Sequence, residues 1–180
     1  RPPVSQWSVT GAGSCVLSQK RKGPRVTMAT FGKVIDWGVV DVNNMGAAMA
    51  PACAQTMLAH FENTKTTPDD YDLIATGDLG KLGSEILIDL MEDNGVKLGL
   101  NYSDCGQMYF RRDQDTLCGA SGCGCSATVF NSYIMKKLQD GQYKRVLFMP
   151  TGALLSTTAT QQGESIPGVC HALVIEAYEE

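Results

Sequence analysis

Asp72-Leu73-Ile74-Ala75, then Thr76-Gly77-Asp78-Leu79-Gly80, then Ile86, Leu87, Leu90 and Met91 decide the fold class of this chain. The first four residues are an apolar run of the length of a short buried strand. The glycines mark a turn, and the next apolar residues recur at the spacing of one helical face that Gly95 stops. A strand that enters a helix through a tight turn is half of a β-α-β unit, and the neighbouring segments extend the series. Upstream, Pro51 suits the first turn of a helix with Ala54, Met57, Leu58 and Phe61 on one face, ending within 63–68. Downstream, Ala127, Phe130, Ile134 and Leu138 mark a helix ending near Gly141, residues 145–149 read as a strand, and residues 169–177 as the last strand. Strands alternating with helices predict an α/β domain with a mostly parallel sheet covered on both faces.

Ahead of this series, residues 7–17 and 25–37 read as two strands joined by the basic turn Gln19-Lys20-Arg21-Lys22-Gly23-Pro24, a solvated hairpin tip with no function assigned. Five strands in one mixed sheet are therefore expected. The segment containing Asp104-Cys105-Gly106 reads as irregular.

The chain has 180 residues, 43% hydrophobic and 19% charged, which suits one domain with a real core. A formal net charge of −4 argues against nucleic acid as a partner, since that footprint is basic. No run approaches the roughly 20 apolar residues that cross a bilayer, and Arg1-Pro2-Pro3-Val4-Ser5 does not resemble a secretory signal, so a soluble chain is expected. Seven cysteines, an odd number scattered through apolar runs, point to a reducing compartment.

Several motifs fail on their spacing. Gly122-Cys123-Gly124-Cys125-Ser126-Ala127 matches G-x-G-x-x-A and opens a helix, but no clear strand leads into it and no carboxylate follows the next strand for a ribose. Its small residues either pack the helix tightly against the sheet or present free N–H groups to an anion. Gly77-Asp78-Leu79-Gly80-Lys81-Leu82 lacks the spacing and the hydroxyl of a phosphate loop. Cys118, Cys123 and Cys125 lack the C-x-x-C spacing of zinc sites, so no metal is expected there. Gly119-Ala120-Ser121-Gly122-Cys123 misses the last glycine of a nucleophile elbow. His60 reads as a helix-end histidine that favours the dipole. His171, just after Pro167-Gly168, reads equally as a core histidine or as a group aimed into a pocket.

Thr10-Gly11-Ala12-Gly13, the run from Asp41 through Asn43-Asn44-Met45-Gly46 to Ala52, Thr76-Gly77-Asp78-Leu79, Asp104-Cys105-Gly106, the glycine and cysteine stretch 119–127 and Thr151-Gly152-Ala153-Leu154-Leu155-Ser156 together resemble the stage V sporulation protein AD family of the thiolase-like superfamily. The resemblance covers essentially the whole chain, as the carboxyl-terminal half of a protein about twice as long. It implies a thiolase-like half: a five-stranded mixed sheet with helices on both faces. Condensing enzymes of that superfamily place a nucleophilic cysteine in the amino-terminal half and histidine or asparagine partners in this one. Here the matching positions, Ala75-Thr76-Gly77-Asp78 and residues 118–127, hold neither.

The resemblance thus implies a non-catalytic protein of spore formation that binds dipicolinic acid, with or without calcium, for its uptake into the developing spore. It acts with membrane proteins of the same operon and is located in the forespore, peripheral to the spore inner membrane. The rival expectation is a thiolase-type acyltransferase with its cysteine in the amino-terminal half. The expected ligand-binding residues are Thr76, Asp78, Gly122, Cys123, Gly124, Cys125 and His171, with no catalytic residue, cofactor or metal ligand in this half. The helix after Pro51 and the one beginning near Ser126 are expected to present apolar faces, to the amino-terminal half or to a second copy in a homodimer.

Overall fold

The computed structural model describes residues 1–19 and 23–178. In chain order the first elements are β1 (Trp7–Ser8), β2 (Arg25–Thr30), α1 (Met45–Thr64), β3 (Leu73–Thr76), α2 (Gly80–Asp93), β4 (Tyr102–Asp104) and α3 (Cys105–Tyr109). There follow β5 (Ala120–Ser121), α4 (Gly124–Val129), a π-helical turn (Phe130–Ile134), α5 (Met135–Gln139), β6 (Arg145–Met149), β7 (Thr151–Ala153), α6 (Thr157–Gln161), β8 (Gly168–Cys170) and β9 (Ala172–Glu176).

Five strands form one mixed sheet in the order β2-β9-β6-β3-β4. β3 runs parallel to β4 and β6, while β9 runs antiparallel to β6 and β2. Side chains alternate across the sheet with the period of two that a strand imposes. Ile74, Leu147, Met149 and Val174 point into one core with Met49, Cys53 and Met57 of α1 and Leu87 and Met91 of α2. Leu73, Ala75, Val146, Phe148 and Ile175 point into the other, against Val129, Phe130, Ile134 and Leu138. Both faces are covered by helices, which is why residues 145–149 carry an unbroken apolar run rather than an alternating one.

The strand number agrees with expectation but the membership does not. β1 does not form a hairpin with β2. Trp7 and Val9 donate instead to the Gly119 and Ser121 carbonyls at 2.8 and 2.9 Å, in a parallel pair with β5. β2 ends at Thr30 and pairs with β9, from the far end of the chain. The central residues of the expected basic turn, Lys20, Arg21 and Lys22, lie outside the described residues. The fifth strand is β4, inside the stretch that read as irregular, because three residues are too few to show a period. The expected last strand is split at His171: β8 pairs with β7, and β9 crosses into the main sheet.

Pro51 is not in the first turn of its helix. Asn44 caps α1 by accepting from Ala47 N–H at 3.3 Å, which places Pro51 inside it. The proline leaves the Ala47 carbonyl without its usual helical donor, a cost offset by burial of the middle of α1 around it, Ala48 to Ala54. Gly46 and Gly83 bring α1 and α2 almost into backbone contact, since a Cβ on Gly83 would lie 2.7 Å from the Gly46 Cα. α1 is accordingly a central helix, with Met49, Ala50, Ala52, Cys53 and Met57 all buried. It does not present the apolar face expected of it. Exposed apolar residues lie instead on the non-repetitive arm after β2, at Phe31, Val34, Trp37 and Val40, before it at Val16 and Leu17, and at Leu100, Leu154 and Leu155, among others.

Replacing Leu147, fully buried in the central strand β6, by Ala is expected to cost about 2–5 kcal/mol. The same change at the exposed Leu100 should stay within about 0.5 kcal/mol. Urea denaturation of the two variants checks both values.

Candidate functional site

The parallel register of β3 and β4 sets Thr76 beside Asp104. This puts a carboxylate at the amino end of α2, where backbone donors have no helical partner. Asp104 Oδ2 accepts from Thr76 Oγ1 at 2.7 Å and from Leu79 N–H at 3.0 Å, and Oδ1 accepts from Gly80 N–H at 2.9 Å. Tyr102 approaches Thr76 Oγ1 at 3.1 Å and donates to Ser84 Oγ at 3.0 Å, so the network reaches into α2. Asp104 is fully buried. Burial pushes its carboxyl up to about 6, against the pull of its three donors and with a smaller push from the Asp78 charge.

The turn held in this way carries Asp78 outward. Its Oδ2 accepts from Gly122 N–H at 2.8 Å, and its Oδ1 accepts from the Thr151 hydroxyl at 3.1 Å. Gly122 has φ +106°, a backbone conformation that other residues rarely adopt, and that turn aims its N–H at Asp78. Gln6 closes the group by donating to the carbonyls of Asp78 and Ala120, both at 2.8 Å. Burial raises the Asp78 carboxyl above its ordinary value, opposed by the bonds from Gly122 and Thr151.

Asp78, Gly122 and Thr151 follow β3, β5 and β6, so three strands deliver their loops to one end of the fold. In α/β sheets the carboxyl ends of parallel strands are where ligands bind. A cleft of about 870 Å³ opens there. Ser5, Gln6, Ser8, Asn43, Asp78, Ser121, Ser126 and Thr151 supply polar groups, Val42, Met45, Met49 and Leu155 supply apolar wall, and Gly122 and Cys123 form one edge. Arg1, which also lines the cleft, stacks its guanidinium on the Trp7 ring at 4.3 Å.

Of the expected site residues, Asp78, Gly122 and Cys123 line this cleft. Thr76 lies behind it on Asp104, and Cys125 is buried in the second core. Gly124 serves packing, because a Cβ there would lie 2.1 Å from the Gly11 carbonyl oxygen. His171 is exposed at the strand break, accepting from Gly32 N–H at 3.1 Å beside the Phe31 ring, and is not among the cleft-lining residues. His60 does not serve a helix end: it is buried between Thr30 Oγ1 and the Tyr71 hydroxyl, each at 2.8 Å, and burial lowers its pKa. The N–H groups of the glycine and cysteine loop are not all free. Gly122 N–H holds Asp78, and Cys125 N–H donates to the Gly122 carbonyl at 2.9 Å. The protein's own carboxylate thus occupies the place read as an anion site.

Sequence reading missed Thr151, Gln6 and the role of Asp104. The one local signal was a hydroxyl directly after the buried run 145–149; Gln6 and Asp104 act on partners far along the chain. Burial, with the charges of Asp78 and Asp104, raises the thiols of Cys105 and Cys125, the latter to about 12, so both stay protonated near neutrality. Among the described residues no three His, Cys, Asp or Glu side chains are grouped to hold a metal ion.

A family model described as Stage V sporulation protein AD matches residues 1–176. Stage V sporulation protein AD of Bacillus subtilis (strain 168) is 46% identical over 176 residues, which is 98% of this chain and 52% of that protein. The chain therefore spans about half the length of the curated relative it matches.

Two outcomes follow from the geometry. Gly124→Val is expected to lose about 1–3 kcal/mol of stability through its collision with the backbone at Gly11, which thermal unfolding reads. Asp104 keeps a proton in the folded chain to about pH 6, whereas in the unfolded chain it releases it near its ordinary value. Its contribution to stability is therefore full below that ordinary value and is lost as pH rises to about 6. Urea midpoints measured from pH 4 to 7 should show this fall, and Asp104→Asn should remove it.

Proposed function

The chain belongs to the stage V sporulation protein AD family, and from that membership and the cleft we propose that it is a non-catalytic binding component for dipicolinic acid. In this reading it serves uptake of the ligand into the developing spore together with membrane proteins of the same operon.

The observation that carries the reading is the composition of the cleft at the carboxyl ends of β3 and β6. A planar aromatic diacid needs donors for its carboxylates and an apolar or sulfur-bearing wall for its ring. Ser5, Ser8, Ser121 and Ser126 can supply the first, and Met45, Met49, Val42 and Leu155 the second. Asp78 on the same wall repels a bare dianion, whereas a calcium chelate of dipicolinate is neutral. The reading therefore includes calcium as part of the cargo.

Two features support binding over condensation chemistry. Both histidines are engaged outside the cleft, and the Cys105 and Cys125 thiols are held protonated. The rival acyltransferase would draw its cysteine from the amino-terminal half of the longer protein. That half, in a thiolase-like arrangement, or a second copy in a homodimer, is the partner we assign to the exposed apolar residues Phe31, Val34, Trp37 and Leu154. No helix of the described residues is long and apolar enough to cross a membrane, which suits a forespore protein held at the spore inner membrane by its partners.

Calorimetric titration of the full-length protein with dipicolinate, with and without equimolar calcium, tests the reading. Saturable binding that is tighter with calcium is expected. Asp78→Asn should narrow the difference between the two ligand forms by about tenfold, the worth of one charged contact. Absence of saturable binding in both conditions, or turnover of an acyl thioester, would overturn it.

A further inference from the structure

Asp104 does not line the cleft, yet every atom it holds belongs to the turn that does. Its two oxygens take up Thr76 Oγ1 and the N–H groups of Leu79 and Gly80, the residues that bracket Asp78. Asp78 in turn holds Gly122 and Thr151, which form the facing edge of the cleft. Two successive carboxylates therefore connect the interior of the sheet to the ligand wall.

We infer that Asp104 is a positioning residue for the cleft, and that its ionisation state sets the placement of Asp78 and Gly122 and so makes ligand affinity depend on pH. The inference rests on the cleft being the ligand site.

The chemistry of the carboxyl group carries it. As a carboxylate, Asp104 accepts from all three donors. A proton on Oδ2 competes for the lone pairs used by Thr76 and Leu79, and the start of α2 loses part of its anchor. The charged and titratable groups facing Asp104 are Asp78 on the turn, Tyr102 on β4, and the thiols of Cys53 on α1, Cys105 on α3 and Cys125 on α4. None is a cation, so nothing in this set holds the charge in place except the three donors. Burial raises the carboxyl to about 6, which brings the proton exchange within a physiological interval. An ionised group that costs stability and orders a ligand wall fits positioning better than structural support.

The test uses the full-length protein labelled with ¹⁵N and titrated from pH 5 to 8, with calcium dipicolinate as the ligand probe. In the wild type the Leu79 and Gly80 amides should share one midpoint, and the Gly122 amide should show that same step. In Asp104→Asn, Gly122 should lose that step. Affinity for calcium dipicolinate should fall about tenfold at pH 7.5 and lose the pH step that the wild-type Leu79 and Gly80 amides report. In Asp78→Asn, Leu79 and Gly80 should still titrate while Gly122 no longer does. A wild-type Gly122 amide that ignores the step seen at Leu79 and Gly80 overturns the inference, as does an Asp104→Asn variant with unchanged affinity and pH profile. Should that variant not fold, the wild-type amide titration alone decides. Should the wild type bind no calcium dipicolinate, the ligand reading falls, while the amide steps still judge the positioning role.

Discussion

Burying a carboxylate without a cation beside it is among the costlier things a small domain can do, and Asp104 is buried in this way at the end of an edge strand. The fold offsets part of that cost with three hydrogen bonds, two of them from backbone donors that the first turn of α2 would otherwise leave unpaired. The exchange couples the sheet to the helix. The end of β4 meets the start of α2, and the turn between β3 and α2 is held to Asp104 by the Leu79 and Gly80 N–H groups. The placement of Asp78, and with it one wall of the cleft, follows from that constraint.

The second constraint is the closeness of α1 to its neighbours. Gly46 against Gly83 lets the two helices on one face of the sheet approach to backbone contact, so α1 sinks into the core and its proline is tolerated. Met45 and Met49, at its amino end, are thereby delivered to the cleft that Asp78 also lines. The cleft is thus built from one end of the sheet and one end of the most buried helix. Three of its polar side chains, Gln6, Asp78 and Thr151, are anchored by hydrogen bonds to backbone. That arrangement favours a preformed site over one assembled on binding.

The outer parts of the chain follow a different logic. β1 and the arm after β2 are extended segments that pack along distant loops, and the arm leaves Phe31, Val34 and Trp37 exposed. An isolated bridge from Ile35 to Gly168 and the bond from Ser165 to Asp36 pin the arm to the loop before β8. Its apolar side chains are therefore ordered at the surface rather than collapsed into the core.

What the sequence by itself determined is the part of the fold written in local runs and periods. The strands at 73–76 and 145–149 were legible as unbroken apolar runs, and the helix from Gly80 to the stop at Gly95 and the series Phe130, Ile134, Leu138 because each buries one face at helical spacing. The quoted motifs were likewise enough to show the family resemblance, since they are runs of neighbouring residues. Tertiary structure alone decided the pairing of β2 with β9, the split at His171, the start of α1 at Asn44 and the convergence of Gln6, Asp78, Gly122 and Thr151. Each of these joins residues fifteen or more positions apart, or, at Asn44, depends on burial that overrides the local signal of Pro51. Spacing within a window carries no information about which distant donor a carboxylate will meet. For that reason the turn that carries Asp78 was legible, while the hydrogen bond that takes up the Gly122 N–H was not.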